Sequence, residues 1–385
     1  MRPLLALLPL LALPIAAAQS DENPEQPLMQ CGGSASLGLP AGMKPGLYRG
    51  TLGAKNVTLQ LLAGRKTQDY GDPADRYVYD HYGIDIVLNR GRSSGGALLL
   101  AEFARSYPKL SARGCFELKA AGQGLSGRWR TPDGQKTLAV KLSRVEVAAL
   151  PLNLPATPGL LALRAKDPFT FLKLNRPWKA TGATLTEPLS GVKYPRIAGR
   201  PALNAALQDR HLSLAADALD CTAGAFASFG DADTQYNVTV GTAKLQNARL
   251  LSVREHADYD CGGAHPDSFT EGLTYDLKTG RRVLLTGKPG AIWPGLDDQK
   301  LQALYVANYP TTGNQSCDGY FDGKEPSSSD DALFQVFLTP RGLTIWPGFV
   351  PHVAAVCAEE VTLPYAALRR YADPAGVYFK DLYPR

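Results

Sequence analysis

Between residues 46 and 147 apolar and polar positions alternate in short runs, the period of a strand with one buried face. Val57-Thr58-Leu59-Gln60-Leu61 shows the alternation most plainly. Tyr77 to Tyr79, Ile84 to Leu88, Ala97 to Leu100, Cys115 to Leu118, Leu125 to Trp129 and Thr137 to Leu142 continue it. Pro132-Asp133-Gly134 supplies a turn in which Pro presets φ and Gly accepts a positive φ. Short strands at this spacing, joined by Gly-rich connections, predict an antiparallel β barrel or a strongly curled sheet. Core packing is the default account of the Tyr-centred strands, with a ligand cavity as the alternative.

The pattern changes at residue 148. Pro151, Pro155, Pro158, Pro168, Pro177 and Pro188 punctuate an Ala/Leu-rich stretch up to residue 194. Proline at this density forbids a long helix and disfavours a central strand. The stretch is expected to connect two domains and to lie against the protein surface. Residues 195–385 read as α+β, an antiparallel sheet with helices. Leu203, Ala206, Leu207, Leu214 and Ala218 share one helical face. Strands are expected at 235–244, 248–255, through 274–277, on the return at 281–285, and in a hairpin at 332–338 and 342–346. A helix capped by Asp297 presents Leu301, Leu304 and Tyr305. A last short helix starts at Pro364. The loop from Thr311 to Asp331 is long, polar and acidic.

The N-terminus looks like a targeting segment rather than part of the fold. Arg2, the apolar run Leu4 to Ala17 and the small residues Ala16-Ala17-Ala18 predict a cleavable secretory signal over residues 1–18, followed by a lead-in over 19–45. No later stretch is apolar enough to predict a membrane anchor. Export brings the cysteines into the argument. The chain has six, at 31, 115, 221, 261, 317 and 357. An even count in an exported chain, with no C-x-x-C pair, points to disulfides rather than zinc or a redox dithiol. Sequence leaves their connectivity open. The expected pairing is between nearest neighbours, Cys31 with Cys115, Cys221 with Cys261 and Cys317 with Cys357, so that no bridge crosses the connection.

Charge divides unevenly. Residues 19–194 hold 23 Lys+Arg against 14 Asp+Glu, and residues 195–385 hold 17 against 22. An acidic second half suits a cationic partner, although ordinary solubilising charge accounts for the same numbers. No dense basic run is interleaved with aromatics, so nucleic acid is not an expected partner.

Catalytic patterns are few. Gly91-Arg92-Ser93-Ser94-Gly95 spells the G-x-S-x-G of a nucleophile elbow, which needs a helix next and a parallel sheet beneath. With Ala97 to Leu100 read as a strand, it is a hairpin loop. Gly122 to Gly127 spells G-x-G-x-x-G but leads to a proline turn, not a helix. The five histidines, at 81, 211, 256, 265 and 352, show no metal-ligand spacing. No cofactor or metal is expected. The most distinctive segment is Tyr259-Asp260-Cys261-Gly262-Gly263-Ala264-His265-Pro266. It reads either as a recognition tip presenting Tyr259 and His265 or as a demanding turn whose histidine only bonds to backbone.

Gly262 to Pro266, followed by Leu273-Thr274-Tyr275-Asp276-Leu277-Lys278-Thr279-Gly280, resembles the extracytoplasmic domain of RsiV-type anti-sigma factors. That domain also accompanies PdaC-type peptidoglycan deacetylases. Phe334 to Ile345, Phe349 to His352, Val361 to Tyr365 with Leu368, and the upstream Asn237 to Val253 fit the same pattern. The likeness covers about residues 195–372 and leaves the first half without a relative. It implies an antiparallel α+β domain, lysozyme binding in the anti-sigma proteins, and a non-catalytic companion elsewhere in the envelope. No sigma-binding segment or deacetylase domain is evident to support those activities here.

The expected function is therefore that of an exported bacterial envelope protein, periplasmic or secreted, without catalytic chemistry. It would bind a cationic protein such as lysozyme, or cell-wall glycan. Tyr259, His265, Tyr320, Phe321, Asp322 and Glu325 are the candidate contacts. The alternative is a cell-wall hydrolase with His265 and a nearby acid such as Asp276 as its catalytic pair.

Overall fold

The computed structural model describes residues 23, 25–64, 74–106, 109–229, 236–244, 249–263, 265–310, 317, 321, 334–348 and 356–384. The expected signal segment, most of the 311–331 loop with Tyr320, Asp322 and Glu325, and His352 lie outside these residues.

A short helix α1 (Gln26–Gln30) and strand β1 (Gly33–Ala35) come first. Eight strands then run up and down: β2 (Gly46–Leu52), β3 (Lys55–Leu61), β4 (Asp75–Tyr79), β5 (Asp85–Ser93), β6 (Leu98–Ser106), β7 (Lys109–Ala121), β8 (Gly124–Arg130) and β9 (Thr137–Arg144). Each pairs antiparallel with the next, and β9 returns to β2, so the sheet closes into a barrel. Closure removes the exposed edges that an open sheet would leave. The alternation seen in the sequence is the barrel's inside and outside. Leu59, Tyr77, Leu98, Leu100 and Phe116 point into its core, while Leu47 and Val78 point out and pack elsewhere.

The lead-in closes one end of the barrel. Leu39 and Met43 pack on its core. Beside them Arg90, 1% exposed, forks onto both carboxylate oxygens of Asp75, which is fully buried. Its other N–H groups donate to the carbonyls of Leu37 at 3.0 Å and Leu62 at 2.7 Å. A buried ion pair persists only when its remaining polar atoms are satisfied in this way. The bridge Cys31–Cys115 holds α1 against the barrel's outer wall, over Leu99 and Ala101.

The proline-rich stretch departs from expectation. It forms two short helices, α2 (Pro158–Lys166) and α3 (Pro168–Leu174), each opened by its proline. Proline costs nothing there because the first N–H groups of a helix lack partners anyway. Thr157 and Asp167 cap the two starts. Far from lying on the surface, Leu160, Phe169, Phe171 and Leu174 are fully buried. They fill the space between the barrel's Leu47 and Val78 and a long helix, α4 (Pro201–Phe229), through its Leu212, Ala215 and Leu219. Asp85 on β5 accepts from Lys173 of α3 at 2.7 Å, a contact buried on both sides, and from the partly exposed Arg76 of β4 at 2.8 Å.

A small antiparallel sheet, β10 (Lys179–Thr181), β11 (Thr184–Thr186) and β12 (Lys193–Pro195), leads into α4. The opposite face of α4, with Leu203, Leu207, Leu214 and Ala218, packs on the sheet β13 (Tyr236–Lys244), β14 (Leu250–Tyr259) and β15 (Asp267–Asp276). α4 therefore serves both the barrel and the second sheet. The remaining elements are α5 (Asp298–Ala307), β16 (Phe334–Thr339), β17 (Gly342–Pro347), β18 (Val361–Pro364), α6 (Tyr365–Leu368) and α7 (Phe379–Leu382). β16 is tied to β14 by Leu338 N donating to Ser252 Oγ at 2.9 Å. The strand expected over 281–285 is reduced to a single antiparallel bridge between Arg282 and Tyr275. Val283 N bonds to Thr274 O, but the chain then turns so that Leu284 and Leu285 accept from Ile292 and Trp293. That turn buries the Trp293 ring completely. No helix among the described residues is long and apolar enough to cross a membrane.

Candidate recognition tip

β14 and β15 pair in register along their whole length, from Leu250 opposite Asp276 to Tyr259 opposite Asp267. The far end of this hairpin carries the distinctive glycine–histidine segment. Cys261 is bridged to Cys221 of α4 with Cα atoms 4.4 Å apart. Gly262 sits at φ 88°, and a Cβ there would lie 2.7 Å from Ser228 Oγ of the same helix. The glycine thus meets two demands, a left-handed backbone and a close approach to α4. The third bridge, Cys317–Cys357, belongs to the C-terminal core, and the three pairs are the nearest-neighbour connectivity.

The anchored tip is aromatic and acidic. The rings of Tyr236 and Tyr259 lie 5.8 Å apart, and Phe269 follows at 6.3 Å from Tyr259. Tyr259 and Phe269 are half-buried, while Asp258 and Asp267 are exposed. Tyr259 OH donates to Asp267 Oδ2 at 3.3 Å. Partial burial and the neighbouring Asp267 push the Tyr259 phenol up, so it stays a neutral donor. His265 is exposed, and its Nδ1 lies 3.0 Å from Pro266 O. No Lys or Arg occurs between Arg254 and Lys278, so the tip is rich in acid and carries no permanent positive charge of its own.

The expected catalytic pair does not assemble. His265 flanks one end of β15 and Asp276 closes the other, about 30 Å apart at strand rise. Asp276 instead caps the following turn, accepting from the backbone N–H of Lys278 and Thr279 and from the Thr279 hydroxyl. Burial works to raise its pKa, but these donors outweigh it and hold the carboxyl below the usual range. The other sequence matches dissolve likewise. Ser93 ends β5 in a hairpin to β6, and Gly122 to Gly127 run from the β7–β8 turn into strand β8. Among the described residues no group of three His, Cys, Asp or Glu side chains is placed to hold a metal.

Phe321, expected as an exposed contact, is 5% exposed. It packs edge-on to Tyr305 at 5.1 Å, with Tyr309 and Phe334 nearby. Cys317, four residues before it, is buried in the same cluster and bridged to Cys357.

Sequence reasoning missed Arg210. It reaches from α4 to Glu255, at 3.1 Å and 2.9 Å from its Nε, and on to Glu271, the residue opposite Glu255 across the β14–β15 pair. Tyr194 OH donates to the same Glu255. Burial opposes the charge on Arg210, but the two carboxylates outweigh it and raise its pKa further. The network neutralises two acids that face each other under the helix. Its signal was available, because Glu255 and Glu271 occupy core-facing positions in alternating strands.

Comparison with protein-family models finds no match, and comparison with curated proteins finds none.

Proposed function

We propose that this chain is a non-catalytic binding protein of the bacterial envelope, exported to an oxidising compartment, and that it captures a cationic protein such as lysozyme on the β14–β15 tip. The observation that carries the reading is the anchored tip itself: three aromatic rings framed by Asp258, Asp260 and Asp267, with no Lys or Arg between positions 254 and 278. Fixed aromatic side chains give large contact area at low entropic cost, and a one-signed rim steers an oppositely charged partner. Three bridges fit the oxidising setting. The likeness of residues 195–372 to RsiV-type domains supports the same partner class.

The test is the equilibrium binding of the purified protein to a cationic lysozyme at low and high salt, alongside soluble peptidoglycan fragments. Association at low salt that weakens as salt rises is expected, with a loss of about tenfold or more for Tyr259→Ala. No association at low salt would remove the lysozyme reading. Binding of the glycan alone would transfer the site to cell-wall polymer.

A further inference from the structure

Inside the barrel lies a carboxylate for which the fold supplies no counter-ion among the described residues. β6 sends Leu98, Leu100 and Glu102 inward in turn. The two leucines are fully buried, while Glu102 keeps 8% exposure and the neighbouring Trp129 9%. Tyr77 OH donates to Glu102 Oε1 at 2.7 Å, and Trp129 Nε1 donates to that same oxygen at 2.6 Å. Both donors are neutral, and no donor among the described residues reaches Oε2. The barrel's other buried acid, Asp75, shows the contrast. There an arginine saturates both oxygens.

The local backbone is built around this group. The β6–β7 register slips between Glu102 and Phe103, so Glu102 faces Gly114 while Phe103 faces Ala112. Such bulges re-aim side chains. A Cβ on Gly114 would lie 2.3 Å from Trp129 Nε1 and 2.7 Å from Glu102 Oε2, so only glycine leaves room for the pair. Aromatic rings surround the acid. Tyr77 stands edge-on to Phe116 at 5.1 Å and to Tyr79 at 5.4 Å. Beyond them Tyr79, Ile86 and Leu138 are only partly buried. They mark the barrel end opposite the lead-in, from which Glu102 retains its access to solvent.

We infer that this end of the barrel binds a small ligand carrying a protonated amine, whose ammonium seats on Glu102 Oε2 among the rings of Tyr77, Tyr79 and Trp129. An eight-stranded barrel has room for filled side chains or one small ligand. An ammonium is stabilised by a carboxylate and by aromatic faces together, and a desolvated site strengthens both. Ile86 and Leu138 offer apolar surface to the ligand's carbon chain. Burial raises the pKa of Glu102 despite its two hydrogen bonds. The titratable groups facing it among the described side chains are Tyr77 and Tyr79, both pushed upward by burial and so neutral. A bound cation favours the charged carboxylate, so affinity rises with pH.

Calorimetric titration of the purified protein with n-butylammonium, against 1-butanol as its neutral isostere, tests this site independently of the tip. Saturable binding of the ammonium alone is expected, tighter at higher pH. Glu102→Gln should weaken it by roughly tenfold or more. Tyr79→Ala, at the half-exposed mouth, gives a second reading if the first variant fails to fold. Equal binding of the alcohol, no binding of either compound, or unchanged affinity in both variants would overturn the inference.

Discussion

His211 lies on α4 between the rings of Trp178 and Tyr194, with Nε2 donating to Val192 O at 2.9 Å. Burial lowers its pKa to about 4, against roughly 6.5 in an unfolded chain. Its neutral form is the folded form, so unfolding takes up a proton between these values. Stability from this group is complete above about pH 6.5 and declines as pH falls towards 4, by up to about 3 kcal/mol in all. Urea unfolding of the wild type and of His211→Gln at pH 7 and pH 4.5 should show a smaller pH effect in the variant. Equal slopes would place the titration elsewhere. The identity of a residue did not foretell such environments. Phe321 reads as exposed because its sequence neighbours are polar, yet a bridge four residues away carries it inside. Glu102 was legible in principle as an acid in step with Leu98 and Leu100. Its partners Tyr77 and Trp129 come from β4 and β8, distant in sequence and adjacent only across the closed barrel.

At the scale of elements, hydrophobic period carried most of the information. The strands of the barrel and the hairpin β16–β17 stand close to where alternation places them, because one face of each is buried. The Asp297 cap opens α5, its side chain accepting from Lys300 N at 2.9 Å. The surface placement of the proline-rich stretch was the failure, since two of its prolines open short helices whose apolar side chains are core. The tip depends on one bridge between elements. Cys221–Cys261 closes a separation of 40 residues, worth about 4 kcal/mol in the chain-entropy model. Replacing both cysteines by Ala should lower stability by that order and speed hydrogen exchange most at Tyr259 and Gly263, beside the lost bridge. Unchanged exchange at the tip would mean that strand pairing alone holds it.

For the whole molecule the deciding feature is α4. One face completes the core that α2 and α3 build against the barrel, and the other covers β13–β15. With apolar packing continuous through that helix, the halves should unfold together, as one calorimetric transition under oxidising conditions. Two resolved peaks would show independently folding halves. The sequence by itself determined the β-rich character, the positions of most strands and the set of bridging cysteines, because these follow from local period and from compartment chemistry. Tertiary structure decided that the first sheet closes, that the proline-rich segment is core, that His265 and Asp276 stay apart, and that Glu102 meets Tyr77 and Trp129. Each of these depends on which distant residues become neighbours, and a chain's local pattern states which face is buried without stating against what.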